Sequence, residues 1–133
     1  MSFSGFEGKA RYGETAIEDI LPVQIRGWDD RIEAPQGVIP SVVGNSDHPI
    51  LSGISGQWPL FLGYNRLRAK AEGNLILQVD GDPFLVTGTY GKGRTLAFAS
   101  DCSPHWGPPE FTSWDHYPRF WHQAVQWLAG RIG

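Results

Sequence analysis

The sequence predicts a mixed α/β fold in a single domain, and three observations lead to this prediction. The 133 residues match the usual size of one domain, which is about 100 to 200 residues. The second half contains three strand-like runs separated by glycine-containing turns, at 75–79, 84–90 and 95–100. An amphipathic helix is predicted to follow them, from Tyr117 to Ala129. We therefore treat residues 1–133 as one α/β domain.

Composition excludes several classes of protein. Hydrophobic residues make up 41% of the chain and charged residues 19%, which is typical of a globular protein and not of a disordered one. The chain has a net charge of −3, so it does not have the excess of basic residues that nucleic-acid binding requires. No run approaches about 18 apolar residues, and the N-terminus has no signal-peptide pattern, so we expect no membrane segment and a cytoplasmic location. The single cysteine excludes an internal disulfide framework.

The first half of the chain predicts one short helix and several short strands. Thr15-Ala16-Ile17-Glu18 matches a capping box, in which the Thr15 hydroxyl and the Glu18 carboxylate bind each other's backbone amides. A helix is therefore expected over 16–20, ended by Pro22. Short β-prone runs follow at 23–25, 38–43 and 60–62.

The second half is expected to contain the buried centre of the sheet. The run 96–99 is apolar on both faces, which is typical of a central strand covered on two sides. The Gly91-Lys92-Gly93 segment is followed by a strand, so it predicts a hairpin turn and not a phosphate-binding loop. The final helix should end at Gly130. Its predicted core arc consists of Tyr117, Phe120, Trp121, Ala124, Val125, Trp127 and Leu128.

The loop that follows the 95–100 strand is the best-placed polar segment, because ligands of α/β sheets bind beyond the ends of strands. Cys102 and His105 could form a thiolate–imidazole pair, with Asp101 or Glu110 orienting the imidazole. The alternative is structural: a small thiol and a histidine that caps the loop.

Other groups in this region favour no particular cofactor. Cys102, His105, Asp115 and His116 match no known metal-ligand spacing, so neither a metal nor another cofactor is expected. Trp106 and Trp114 could stack on a sugar or a base, or they could pack the loop against the domain.

Five blocks of sequence together resemble the class I glutamine amidotransferase-like family of cytoplasmic bacterial proteins. The first and last blocks are the most specific, and the resemblance covers nearly the whole chain. The blocks are Ser2 to Tyr12, His48-Pro49-Ile50-Leu51, Leu62-Gly63-Tyr64-Asn65, Tyr90-Gly91-Lys92-Gly93-Arg94 and Ser100 to Trp106. The resemblance implies a flavodoxin-like three-layer fold of about twice this length. The chain is then expected to correspond to the C-terminal portion of that fold, with the N-terminal half lacking.

The resemblance also implies an incomplete catalytic triad. The family nucleophile is a cysteine at a strand-to-helix elbow that would lie at or just before Met1, and residues 1–8 contain no cysteine. The family histidine and glutamate are two residues apart, whereas His105 and Glu110 are five apart. We therefore predict a non-catalytic domain that binds a small ligand or a protein partner. The alternatives are a hydrolase or glutamine amidotransferase that uses Cys102 or Ser103 with His105, and a carbohydrate-binding domain.

Two further expectations concern the site and its partners. The N-terminal block resembles the loop after the family's elbow, so Glu7 and Arg11 should lie near Asp101, His105 and Trp106 and form a polar pocket with an aromatic wall. Alternatively, Glu7 and Arg11 are solvated. Removing half of a three-layer fold would expose a sheet edge and a face, which predicts self-association, most simply as a homodimer.

Overall fold

The structure is a computed structural model that describes residues 3–133, so Ser2 of the first block lies outside the described residues. It contains eight strands: β1 (Val23–Ile25), β2 (Arg31–Val38), β3 (Ser41–Val42), β4 (Phe61–Asn65), β5 (Leu67–Ala69), β6 (Asn74–Val79), β7 (Asp82–Tyr90) and β8 (Gly93–Phe98). Its three α-helices are α1 (Ala16–Ile20), α2 (Pro109–Thr112) and α3 (Tyr117–Leu128). Short 3-10 turns cover Phe6–Gly8 and Pro49–Leu51.

The strands form one four-stranded sheet, in the order β3-β6-β7-β8, and two pairs, β1 with β5 and β2 with β4. Every pairing is antiparallel. The mixed α/β class and the β6-β7-β8 meander are therefore confirmed. Within residues 3–133 no parallel pairing is present, so this part of the chain does not itself form the parallel layer of a three-layer fold.

The prediction that the 95–100 strand is central was wrong, because β8 lies at an edge of its sheet and β6 and β7 occupy the centre. Thr95, Ala97 and Ala99 are buried, while Leu96 and Phe98 are only half-buried. A run of apolar residues indicates that both faces of a strand are covered. It does not indicate whether the strand pairs with one neighbouring strand or with two. The final helix does pack on β8 as expected.

Helix α3 covers a core rich in aromatic side chains. Phe61 is fully buried, and its ring centroid lies 4.5 Å from that of Phe111 and 4.9 Å from that of Phe84. The core arc predicted for α3 was too wide, because Val125 is 60% exposed and Leu128 is 39% exposed. The helix contacts mainly β8 and the 3-10 turn at 49–51, so only a narrow stripe of its surface is buried.

The end of α3 is closed by a glycine and by an arginine from β8. Gly130 has φ of 70°, and the Gly130 and Arg131 amides donate to the carbonyls of Trp127 and Gln126, as in a Schellman motif. Arg94 donates to the carbonyls of Trp127 at 2.8 Å and Ile132 at 2.6 Å. The segment read as a hairpin therefore also supplies the residue that caps the last helix.

Helix α1 has the predicted bounds but not the predicted cap. Thr15 donates its hydroxyl to the carbonyl of Tyr12 at 2.6 Å and makes no cap to the helix. Glu18 accepts from the amides of Glu14 at 3.2 Å and Ile25 at 2.6 Å. The carboxylate thus ties the helix to β1. Among residues 3–133, none of the helices has the length and apolarity needed to span a bilayer.

Candidate functional site

The candidate loop, residues 99–107, is held against β4 by backbone and side-chain hydrogen bonds. The Asn65 amide donates to the Ala99 carbonyl at 2.7 Å, and the Leu62 amide donates to the Trp106 carbonyl at 2.9 Å. The Ser100 hydroxyl donates to the Gly63 carbonyl at 2.7 Å. Both ends of the loop are therefore fixed to the same strand, which leaves the residues between them projecting from the domain.

Trp106 is the anchor of this loop. Its side chain is buried, with the residue 3% exposed, and it lies over Gly63, where a Cβ atom would come within 2.3 Å of the indole Nε1. The indole Nε1 donates to Glu33 Oε2 at 3.1 Å. Glu33 is the β2 residue that faces Gly63 in the β2–β4 register. The missing side chain at Gly63 thus creates the space that the indole fills.

Asp101 and His105 form a carboxylate–imidazole pair on this anchored loop. His105 Nδ1 lies 3.2 Å from Asp101 Oδ2, which also accepts from the Trp106 amide at 3.2 Å. The His105 ring stacks on the Trp106 indole with centroids 5.3 Å apart. An ionised carboxylate can only accept, so Nδ1 carries the proton and donates, and Nε2 is free to accept a proton or a hydrogen bond.

The exposure of the two partners differs sharply. The His105 side chain is 67% exposed, whereas that of Asp101 is 11% exposed. Burial disfavours the charged form of Asp101, but hydrogen bonds to its carboxylate, among them those from Trp106 and His105, outweigh it and lower the pKa below its usual value. Asp101 is therefore charged at neutral pH and orients an accessible imidazole.

The backbone of His105 is strained. Its φ is 148°, a region that is nearly exclusive to glycine. Such strain persists only where surrounding contacts enforce it, and it is concentrated at binding and catalytic sites. The same residue makes the Asp101 hydrogen bond and the Trp106 stack.

The other catalytic candidates do not join this pair. Cys102 and Ser103 are exposed, and no hydrogen bond among residues 3–133 connects either of them to His105. Glu110 is exposed in the first turn of α2 and is likewise not bonded to the imidazole, so the orienting acid is Asp101. A cavity of about 320 Å³ opens beside the loop, lined by Phe3, Phe98, Ser100, Asp101, Cys102, Ser103 and Trp121.

The N-terminal loop is organised around a different carboxylate. Asp30 is 2% exposed and accepts from the backbone amides of Ser4 at 2.9 Å and Gly5 at 3.2 Å. Glu7 and Arg11 adopt φ values of 49° and 56° in this loop. Arg11 lines a separate cavity of about 410 Å³, which includes Ser4 and Trp28 but not Asp101 or His105.

Sequence reasoning missed two residues, one that holds Trp106 and one that lines the cavity beside Arg11. Glu33 completes the Trp106 anchor, yet it lies in a strand-forming segment that carries no catalytic motif. Trp28 is 66% exposed and forms the aromatic wall beside Arg11, a role that the sequence analysis assigned to Trp106.

Trp114 packs against Trp58, with ring centroids 4.7 Å apart. No group of three or more potential metal-ligating side chains occurs in the described range.

The chain belongs to an amidotransferase-like family, because it matches the family model GATase1_like, described as "Putative glutamine amidotransferase", over residues 1–130. Two solved structures are similar to it. The cytoplasmic protein STM1381 from Salmonella typhimurium LT2 is 44% identical, with a TM-score of 0.90 over 96% of this chain and 51% of that one. The cytoplasmic protein STM3548 from Salmonella typhimurium is 41% identical, with a TM-score of 0.89 over 96% of this chain and 51% of that one. The chain thus spans about half the length of these relatives. No curated protein matches it.

Proposed function

We propose that this chain is a non-catalytic amidotransferase-like domain that binds a small polar molecule at the Asp101–His105 pair. The observation that carries the proposal is the orientation of the imidazole. Asp101 fixes Nδ1, so the exposed ring presents Nε2 to solvent as an acceptor. A ligand with an amide N–H is the natural match, because it can donate to a neutral Nε2.

The proposal assigns no glutamine hydrolysis to this chain. Hydrolysis would need a nucleophile within hydrogen-bond reach of the base, together with donors for the developing oxyanion. No hydrogen bond in the range 3–133 connects His105 to Cys102 or Ser103. We infer further that these residues form the antiparallel part of a larger, flavodoxin-like three-layer fold. A cytoplasmic location fits both relatives, which are described as cytoplasmic proteins.

Carbohydrate recognition has weaker support. Stacking on a sugar needs an open aromatic face. Trp106 is buried beneath His105, and Trp114 packs on Trp58.

Two measurements test the proposal, with His105→Ala as the variant and His122→Ala as its control, because His122 is exposed on α3. L-glutamine serves as the amide-bearing probe. We expect no ammonia release above background from the wild type. We also expect glutamine to shift the His105 ring resonances in the wild type and in His122→Ala. In His105→Ala, which lacks this ring, binding is followed by the backbone amide resonances of residues 99–107, and we expect glutamine to leave them unchanged.

The outcomes separate the two parts of the proposal. Ammonia release that disappears in His105→Ala and persists in His122→Ala would make the chain a hydrolase. If glutamine leaves the His105 resonances unchanged at millimolar concentration, the assignment of an amide-bearing ligand is wrong.

A further inference from the structure

We propose that the open edge of β8 is a docking site for a further β-strand, and that this strand belongs to the part of the fold that the longer solved relatives carry beyond the region matched here. This inference is independent of the ligand at His105. It follows from the backbone of β8, from the groove beside it and from the length of the relatives.

The backbone of β8 has hydrogen-bonding capacity directed away from its sheet. The β7–β8 hairpin is closed by the pair Tyr90–Gly93 and continues in register without a bulge to Leu85–Phe98. Because hydrogen-bonded pairs alternate along such a ladder, Thr95 and Ala97 direct their amides and carbonyls towards β7. Leu96 and Phe98 consequently direct theirs outward. Within residues 3–133, β8 pairs with no strand other than β7.

An apolar groove lies along this edge. Its volume is about 410 Å³, and it contains no charged side chain; its lining residues are Phe3, Tyr12, Ile17, Leu21, Leu96, Ala97 and Phe98. Ile17 is 47% exposed and Tyr12 is 37% exposed, so apolar surface faces water there. An unpaired edge beside exposed apolar side chains is the arrangement that accepts an added strand.

The groove is preformed, because its α1 wall is fixed to the rest of the domain. Glu18 accepts from the Ile25 amide at 2.6 Å, and Lys70 Nζ donates to the Glu18 carbonyl at 2.6 Å. Ile17 is therefore held beside β8 without help from the occupant. The uncharged lining selects a segment with apolar side chains on the face that enters the groove.

The relatives indicate the occupant. Each aligns with 96% of this chain at a TM-score of about 0.9, and in each the aligned region is only 51% of the chain. Almost as much polypeptide again is present in those proteins, and β8 has both a free edge and an apolar flank. The groove also reaches the candidate site, since Phe3 and Phe98 line both cavities. The docked strand would therefore lie beside Asp101.

The test compares this chain alone with a chimera in which it replaces the matched region of STM1381. Amide hydrogen exchange is measured by mass spectrometry in both. We expect the amides of Leu96 and Phe98 to exchange rapidly in the isolated chain and at least about tenfold more slowly in the chimera. Ile17→Asp should lower the urea midpoint of the chimera and leave that of the isolated chain nearly unchanged. Val125→Asp, an exposed apolar residue on α3, is the matched control and should be neutral in both.

Three results would overturn the proposal. The first is equal exchange at Leu96 and Phe98 in the chain and the chimera. The second is a chimera that does not fold although both parent proteins do. The third is slow exchange in the isolated chain that depends on protein concentration and accompanies a dimer in sedimentation, because a second copy would then be the occupant.

Discussion

The indole of Trp106 lies directly against the backbone of Gly63, so that a Cβ atom at residue 63 would come within 2.3 Å of Nε1. The contact couples strand β4 to the loop that carries Asp101 and His105. Since the His105 ring stacks on the same indole, the position of the imidazole depends on the absence of a side chain on a neighbouring strand.

The first prediction follows from this contact. Gly63→Ala should displace the indole, break its hydrogen bond to Glu33 and lower the free energy of unfolding by about 1 to 3 kcal/mol. Gly13→Ala is the control, because its Cβ would meet nothing closer than Ile25 at 3.9 Å. Urea unfolding measures both variants. A Gly63→Ala protein as stable as the control would show that the indole is not anchored there.

The second prediction concerns the strained backbone of His105. Replacing a residue at φ of 148° with glycine removes strain worth about 1 to 3 kcal/mol, whereas replacing it with alanine does not. Glycine also costs roughly 0.4 to 1 kcal/mol through the entropy of the unfolded chain. We therefore expect His105→Gly to be more stable than His105→Ala, although both lose the imidazole. Urea unfolding of the pair tests this, and the reverse order of stability would contradict it.

The third prediction concerns the arginine that caps α3. Arg94 donates to three carbonyls at the end of the chain and lies over the Trp127 ring at 5.0 Å. Arg94→Ala should cost about 1 to 3 kcal/mol, because several charge-assisted hydrogen bonds are lost together. Arg94→Lys should recover only part of this, since an ammonium cannot span all three carbonyls.

Lys92 provides the control for the arginine variants. It is exposed in the same hairpin turn, and Lys92→Ala should change the free energy of unfolding by less than about 0.5 kcal/mol. Thermal and urea unfolding measure all three proteins. Equal stability of Arg94→Ala and Lys92→Ala would mean that the helix end is held without the arginine.

Local patterns predicted α1, α3, the meander and the hairpin, because these depend on residues close in sequence, whereas the short helix α2 was not predicted. Pro22 and Gly130 lie just beyond real helix ends, and the runs at 75–79, 84–90 and 95–100 fall on real strands. The run at 38–43 instead spans the end of β2, a break and β3. The position of a strand at the edge or in the centre of a sheet cannot be predicted in this way, because it depends on pairing between segments that are distant in sequence. The run 96–99 therefore predicted a strand correctly and its place in the sheet incorrectly.

The candidate site was predictable only where its members share a loop. Asp101, His105 and Trp106 lie within six residues of each other and are in hydrogen-bond contact. Arg11 was placed with them by resemblance; its loop is held by the buried carboxylate of Asp30, and Arg11 lines a cavity that does not include Asp101 or His105. Glu33 lies at the site because it pairs with Gly63 in the β2–β4 register, and no sequence motif predicts that pairing.

The last prediction is a pH dependence caused by His48. Its Nδ1 accepts from the Ile50 amide at 3.2 Å, and its ring packs on Trp127 with centroids 5.0 Å apart. Burial, and secondarily the positive charge of Arg94, lowers the pKa of His48 below its usual 6.5. The unfolded chain therefore binds a proton at this residue more readily than the folded protein does.

The sign follows from that difference in proton binding. Stability contributed by neutral His48 is complete above about pH 6.5 and is lost as the pH falls towards the lowered pKa of the folded state. The loss has an upper limit of about 1.4 kcal/mol per pH unit, and it is smaller here because the ring is only half-buried. His48→Asn keeps an acceptor for the Ile50 amide and cannot titrate. Urea unfolding from about pH 5 to about pH 8 should show a steeper acid loss for the wild type and for His122→Asn than for His48→Asn. Equal slopes in all three proteins would place the acid-sensitive group elsewhere.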